Sequence, residues 1–129
     1  MGENGIEPIL IVDDDPTIRK ILNLILSSED FTVEEAYDGK IAVEMAGKKP
    51  YHLIFIDIQM PRMNGYEAVK KIREMEISTP IIMQSSLNSK EDVSCAFDAG
   101  CNEFISKPYD FNEILRLLKK YTSQPATTF

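Results

Sequence analysis

The chain has 129 residues, enough for one domain with a buried core, and its 43% hydrophobic and 27% charged side chains exclude wholesale disorder. Acidic residues outnumber basic ones 21 to 14, for a formal net charge of -7. With no basic block to meet a phosphate backbone, direct nucleic-acid binding is not expected.

No apolar run approaches the roughly 18–20 residues of a membrane span. The opening MGENGIEP has no basic stretch followed by an apolar one, and Ile6 breaks the myristoylation pattern. A cytoplasmic location without a membrane partner is the expectation. Cys95 and Cys101 fit no zinc framework, and both read as small core residues. His52, the sole histidine, reads as a surface or edge residue.

In chain order, Ile9 to Val12 is a continuous apolar run that reads as a buried strand closing on Asp13, Asp14 and Asp15. Pro16 then stands where a helix starts, behind an aspartate able to cap it, and Ile18, Ile21, Leu22 and Ile25 share one helical face. Thr32 to Tyr37 is a weaker strand whose glutamates suggest a sheet edge, Asp38-Gly39 reads as a turn, and Ile41, Ala42 and Met45 mark a short helix ending near Gly47. Leu53 to Ile56 is the most apolar run and closes on Asp57. The joint from Ile58 to Asn64 leads through Gly65 into a helix carrying Ala68, Val69 and Ile72.

Pro80 to Met83 is the fourth strand, followed by Gln84-Ser85-Ser86, and a helix from about Ser89 to Ala99 leaves through Gly100. Phe104-Ile105 is a short fifth strand running into Lys107-Pro108. Asp110 and Glu113 stand in capping-box spacing before a last helix with Phe111, Ile114, Leu115 and Leu118 on one face. Residues 1–8 read as an N-terminal extension, 9–121 as the domain and 122–129 as a flexible tail. Five β-α units with joints too short for hairpin returns imply an α/β fold, a doubly wound five-stranded parallel sheet with five helices.

Ligands of open α/β sheets bind beyond the carboxyl ends of the strands, so the residue closing each strand is informative. These are Asp13-Asp14, Asp57, Ser85 and Lys107: three carboxylates, a hydroxyl and an ammonium at one edge. Crowded carboxylates resist ionisation, and a hard divalent cation relieves them. The aspartate triplet is explained equally well as a helix cap; Asp57 on a separate strand favours a cation. An ionised Asp57 could accept a phosphoryl group as an acyl phosphate, with Ser85 and Lys107 meeting its oxygens.

The strings ILIVDDDP (9–16), LIFIDIQMPRMNGYE (53–67), PIIMQSS (80–86) and FISKP (104–108) resemble the receiver domain of two-component response regulators. The resemblance covers about residues 9 to 121 and implies a flavodoxin-like sheet in the order 2-1-3-4-5. It implies that Asp57 is the phosphoacceptor and that Mg²⁺, with Mn²⁺ as an alternative, is bound by Asp14, Asp57 and the backbone carbonyl of Gln59, with Asp13 acting through water. Lys107 then pairs with the phosphoryl group, Ser85 and Phe104 take the switch positions, and the bond before Pro108 is cis. Phe104 is equally well read as a half-buried strand residue. Gln59 and Leu87 occupy the positions that tune phosphoryl lifetime, and an apolar Leu87 suggests slow self-hydrolysis.

The implied function is a phosphorylation-activated switch, not a turnover enzyme. Its phosphoryl donor is a sensor histidine kinase or histidine phosphotransfer protein, docking near the first helix. Its readout is the face of the fourth helix, fifth strand and fifth helix, where an unknown downstream protein binds or a homodimer forms on phosphorylation. A haloacid-dehalogenase-like phosphatase is the enzymatic rival, but it wants an aspartate where this chain has Gln59. A partner-binding pseudo-receiver is disfavoured by intact Asp13, Asp14, Asp57 and Lys107. The fold leaves no room for an output domain, so the chain is a stand-alone receiver or a piece of a hybrid kinase or longer regulator.

Overall fold

A computed structural model describes residues 7–122, and strand alternates with helix throughout. The elements are β1 (Ile9–Val12), α1 (Pro16–Ser28), β2 (Val33–Ala36), α2 (Gly39–Lys48), β3 (Leu53–Asp57), α3 (Gly65–Glu74), β4 (Ile81–Ser85), α4 (Lys90–Ala99), β5 (Glu103–Ser106) and α5 (Phe111–Thr122). All pairings are parallel, in the order β2-β1-β3-β4-β5. Residues 1–6 and 123–129, which hold most of the expected extension and tail, lie outside the described residues. None of the described helices is long and apolar enough to cross a membrane.

Alternation along the strands divides the apolar side chains between two cores. Ile9, Ile11, Leu53, Phe55 and Ile82 pack with Leu22 and Leu26 of α1 and Ile114, Leu117 and Leu118 of α5. Leu10, Val12, Ile54, Ile56, Ile81 and Met83 face α2, α3 and α4, whose inner faces are largely alanine. Strands β1 and β3 lie inside the sheet with every residue buried, which is why they read as unbroken apolar runs.

Several boundaries differ from the sequence expectation. Strand β4 continues through Gln84 to Ser85 because both find ladder partners, Asp57 and Ile105 for Gln84 and Ser106 for Ser85. Asp38 does not sit in a free turn; its side chain accepts from Ile41 N–H and caps α2, which starts at Gly39 and runs past Gly47 to Lys48. Ile21 is exposed, and Leu26 takes the buried place on α1. On α5, Phe111 is exposed and Leu117 buried; Asp110 caps through Asn112 N–H, while Glu113 lies beside Arg116. Helix α5 includes Thr122. Cys101 is buried as expected but Cys95 is exposed, since it falls on the outer side of α4 between the buried Ala96 and Ala99 positions and solvent.

The loop between β3 and α3 is fixed at both ends. Asn64 and Glu67 form a capping box at the start of α3, and Gly65 N–H donates to Ile58 O at 2.8 Å. A Cβ on Gly65 would stand 2.4 Å from Asp57 O and 2.9 Å from Ile58 Cα, so only glycine permits this approach. Arg62, at φ 67°, sends its guanidinium to Asp38 Oδ2, with Nε at 2.8 Å, joining the loop to the α2 cap. Gly65→Ala should therefore cost about 1–3 kcal/mol of unfolding free energy, as overpacking against backbone does. Urea denaturation measures this, and a variant within about 0.5 kcal/mol of wild type contradicts the close packing.

Candidate functional site

Strand register brings the predicted residues to one edge. Val12 pairs with Ile56 and Asp57 with Gln84, so Asp13, following β1, and Asp57, ending β3, reach the same rim. Alternation sends Asp13 and Asp57 toward the α1/α5 side, the side of Ile11 and Phe55. Asp13, Asp14 and Asp57 each present a carboxylate oxygen, all within 4.8 Å of one another. Asp13 is fully buried, Asp57 nearly so, and Asp14 open to solvent. The triplet is thus divided in its work. Asp15 caps α1 by accepting from Thr17 N–H at 2.9 Å, and Asp13 and Asp14 belong to the acidic cluster.

Lys107 supplies the opposing charge. Its Nζ lies 3.0 Å from Asp13 Oδ2 and 3.2 Å from Asp57 Oδ1. Burial works against this ammonium, but its hydrogen bond to Asp13 and the field of Asp57 outweigh that, raising its pKa. Asp57 is governed by the opposite balance. Burial and then the Asp13 charge push its pKa up to about 6, although Lys107 pulls the other way. One ammonium does not neutralise three carboxylates. The donor set is hard oxygen throughout, the chemistry that suits Mg²⁺, so the cluster supports Mg²⁺ binding.

The backbone holds these groups in place. Asp13 Oδ1 accepts from Asp15 N–H at 2.9 Å, and Asp13 O accepts from Arg19 Nη1 at 2.8 Å. Lys107 N–H donates to Ser85 O at 2.9 Å, and the Lys107-Pro108 peptide bond is cis. Ser85 is buried at the end of β4, with Oγ accepting from Leu87 N–H at 2.9 Å. Leu87 is exposed and Gln59 stands exposed at the start of the β3–α3 loop. Phe104 on β5 is half-buried against the α2–α4 core.

Other singled-out residues fall elsewhere. His52 lies at the opposite end of β3 from Asp57, half-buried, with Nε2 3.1 Å from Tyr121 O. Met60 and Met63, in the loop after β3, pack against the α2–α4 core and leave Pro61 and Arg62 exposed. Sequence reasoning missed the Asp38–Arg62 pair, the Arg19 contact and the buried Gln84 and Tyr109 hydroxyl. Only Gln84 carried a visible signal, a polar residue within an apolar run.

Comparison with known proteins bears on this pocket directly. The family described as response regulator receiver domain matches residues 9–119. The response regulator ArlR of Staphylococcus epidermidis is 34% identical over 111 residues, covering 86% of this chain and 50% of that protein. The chain thus spans about half the length of the curated relatives it matches. Among solved structures, the receiver domain of sensor histidine kinase PA1611 from Pseudomonas aeruginosa, with a magnesium ion coordinated in its active-site cleft, superposes with TM-score 0.85. It is 29% identical and covers 93% of this chain and all of that one. The Ssk1 receiver domain of Saccharomyces cerevisiae, solved with the histidine phosphotransfer protein Ypd1, superposes with TM-score 0.85 at 27% identity, covering 90% of this chain and 88% of that one. The sheet order and the acidic rim described above are consistent with that match, and the chain belongs to the response regulator receiver domains of two-component systems.

Proposed function

We propose that Asp57 accepts a phosphoryl group from the phosphohistidine of a sensor kinase or phosphotransfer protein and that the resulting acyl phosphate resets the α4–β5–α5 face. The observation that carries this reading is Asp57 itself: nearly buried, beside two other aspartates, with Lys107 Nζ 3.2 Å from Oδ1. A carboxylate oxygen of Asp57 attacks phosphorus, the P–N bond breaks, and the imidazole leaves with the electron pair. Asp14, Asp57 and the Gln59 carbonyl would hold Mg²⁺, with Asp13 bound through water. The ion would neutralise phosphoryl oxygens and lower the cost of bringing an anionic donor to an anionic pocket.

Lys107 and Ser85 register the new charge. Lys107 turns from Asp13 and Asp57 to the phosphoryl group, and Ser85 Oγ gives up the Leu87 N–H it now accepts. Hydrogen bonds to charged groups contribute about 1.5–3 kcal/mol each, so the two together supply at most about 3–6 kcal/mol, less what the surrendered Asp13, Asp57 and Leu87 contacts contribute. Turning a two-state protein from mostly off to mostly on needs about 5.5 kcal/mol. Both contacts are needed. Phe104, on the strand beside β4, takes up the space that Ser85 and its loop leave as they move.

The surfaces agree with two partners. Phe97 of α4 and Phe111 of α5 are 47% and 50% exposed, apolar side chains available to a downstream protein or a second receiver. Ile21 and Leu24 are 41% and 64% exposed on α1, the helix whose N-terminus follows the acidic triplet, and a phosphohistidine-bearing helix would dock along it. That the Ssk1 receiver was solved with a phosphotransfer protein supports this reading.

Incubation with acetyl phosphate and Mg²⁺ should add one phosphoryl mass to the wild type by intact mass spectrometry and none to Asp57→Asn. With Leu87 shielding the acyl phosphate the adduct should outlast several minutes after donor removal, and labelling of Asp57→Asn or decay within seconds contradicts the respective assignment. In Ser85→Ala the adduct should form while amide shifts at α4 and α5 shrink, so undiminished shifts would show that Ser85 does not couple. Finally, Asp57 keeps its proton in the folded state up to about pH 6, whereas an ordinary carboxyl loses it near 3.8. Folding stability without metal therefore falls as pH rises from 4 to 6. At pH 7 Asp57→Asn should be more stable than wild type by roughly 2–3 kcal/mol. Thermal unfolding should show this gap closing at pH 4 and on adding Mg²⁺.

A further inference from the structure

Arg19 of α1 reaches the acidic cluster at a backbone atom. Its Nη1 donates to Asp13 O at 2.8 Å and its Nε to Glu35 Oε1 at 3.0 Å, so one guanidinium bridges the end of β1 and a residue of β2. The Arg19 side chain is 19% exposed and that of Glu35 37%. Glu35 is held in turn: its Oε2 accepts from Asn23 Nδ2 at 2.7 Å, and Asn23 Oδ1 accepts from Ser27 Oγ at 2.8 Å. Arg19, Asn23 and Ser27 follow one another at helical spacing on α1 and form a single polar stripe toward Glu35.

Asp13 is thereby fixed from β2 at both ends of its backbone. Its N–H donates to Ala36 O at 3.2 Å, while its carbonyl is held by Arg19, which is paired with the neighbouring Glu35. That carbonyl lies one residue past the end of β1 and takes its hydrogen bond from a side chain in place of the sheet. It belongs to the Asp13–Asp14 peptide, a rigid plane. Turning the plane moves Asp14 against Asp13, and with it the convergence of Asp13, Asp14 and Asp57 to within 4.8 Å.

We propose that Arg19 is a positioning residue for the cation site: its guanidinium, oriented by Glu35, sets the Asp13–Asp14 peptide so that the acidic side chains converge. This rests on the reading of Asp13, Asp14 and Asp57 as the Mg²⁺ site. A lysine does not replace it, since an ammonium lacks the planar fork that meets a carbonyl and a carboxylate in two fixed directions. The charge of Arg19 acts in the opposite sense. A cation beside an acidic pocket repels Mg²⁺, and Glu35 offsets that repulsion by pairing with it. Positioning and electrostatics therefore predict opposite signs for the removal of Arg19, and a bare salt bridge between α1 and β2 predicts no change in affinity.

Mg²⁺ alone is titrated into the full chain, with its dissociation constant read from backbone amide shifts and the melting temperature measured in parallel. Arg19→Met should weaken Mg²⁺ about tenfold, the scale on which the outer partners of metal ligands act. Arg19→Lys, which keeps the charge, should weaken it several-fold. Glu35→Gln should weaken it several-fold in wild type but at most about twofold in the Arg19→Met background, because Glu35 acts through Arg19 and its own exposed charge is screened. In the metal-free protein the Asp14 amide nitrogen, on the same peptide as the Asp13 carbonyl, should shift in Arg19→Met more than the amides of α3 and β4. The proposal is overturned if Arg19→Met binds Mg²⁺ as tightly as wild type or more tightly, whatever its melting temperature, or if Glu35→Gln acts equally in both backgrounds. Should Arg19→Met not fold, Arg19→Lys decides: weakened binding supports the fork and wild-type binding overturns it. A wild type that binds no Mg²⁺ sinks the cation-site reading; the Asp14 nitrogen then decides the positioning, its movement supporting it and its constancy overturning it.

Discussion

Everything at the carboxyl edge depends on the electrostatic conflict between Asp13 and Asp57, two buried carboxylates with one ammonium between them. The conflict is a product of topology. Strands β1 and β3 are sequence-distant but adjacent in the sheet, and their register ends both at the same height, so the residues that close them are forced together. Like charges held this way store repulsion that neither side chain can relieve by turning away. The Asp13 carboxylate is held by Asp15 N–H and Lys107, and the peptide of Asp57 is closed off by the approach of Gly65. An acidic pocket of this kind is therefore unfavourable without a cation, a common arrangement at functional sites.

The rest of the fold keeps that pocket from relaxing. Arg62, in a left-handed conformation, is bonded to Asp38, which at the same time caps α2, so the loop leaving Asp57 is tied to a helix that does not touch the acidic cluster. At the opposite end of the sheet, Arg73 of α3 donates to the carbonyls of Ile77, Thr79 and Gly100 and to Asn102 Oδ1, joining the segments before β4 and β5. Glu34 is paired there with Lys49 and Tyr51. An exposed ion pair such as Lys49–Glu34 adds little stability singly, and the Arg73 contacts are hydrogen bonds to carbonyl and amide oxygens. Their contribution is geometric: they set the heights of β2, β4 and β5 against the two central strands.

The parts of the molecule governed by period and by strand closure were legible in the sequence. Continuous apolar runs identified β1 and β3, and reading the residue after each run collected Asp13, Asp14, Asp57 and Lys107, because a parallel sheet sends all its carboxyl ends to one edge. Legibility failed where a residue's role is decided by a distant partner. Asp38 looked like half of a turn, yet Arg62, 24 positions away, and the α2 backbone share its carboxylate. Ile21 and Leu26 both suit the helical period, and only the tilt of α1 on the sheet decides which is buried. The end of β4 was placed two residues early because Gln84 and Ser85 are polar, although pairing with β3 and β5 keeps both in the ladder.

That misplaced boundary bears on how a switch of this kind can be bistable. Lys107 is already doubly paired and Ser85 Oγ already accepts a hydrogen bond, so under the proposed function phosphorylation would exchange partners instead of adding them. Exchange of nearly equal bonds leaves a small free-energy gap, and a small gap is what lets one phosphoryl group tip the population. Because β4 extends to Ser85, the exchanging hydroxyl sits on rigid ladder and the Leu87 amide it releases sits on the loop beyond. Under the proposed function a movement would thereby be directed outward into the β4–α4 loop and α4, not back into the sheet. Strand β4 then separates two directions at adjacent positions: Gln84 faces Asp13, and Ser85 faces the α2–α4 side with Met83.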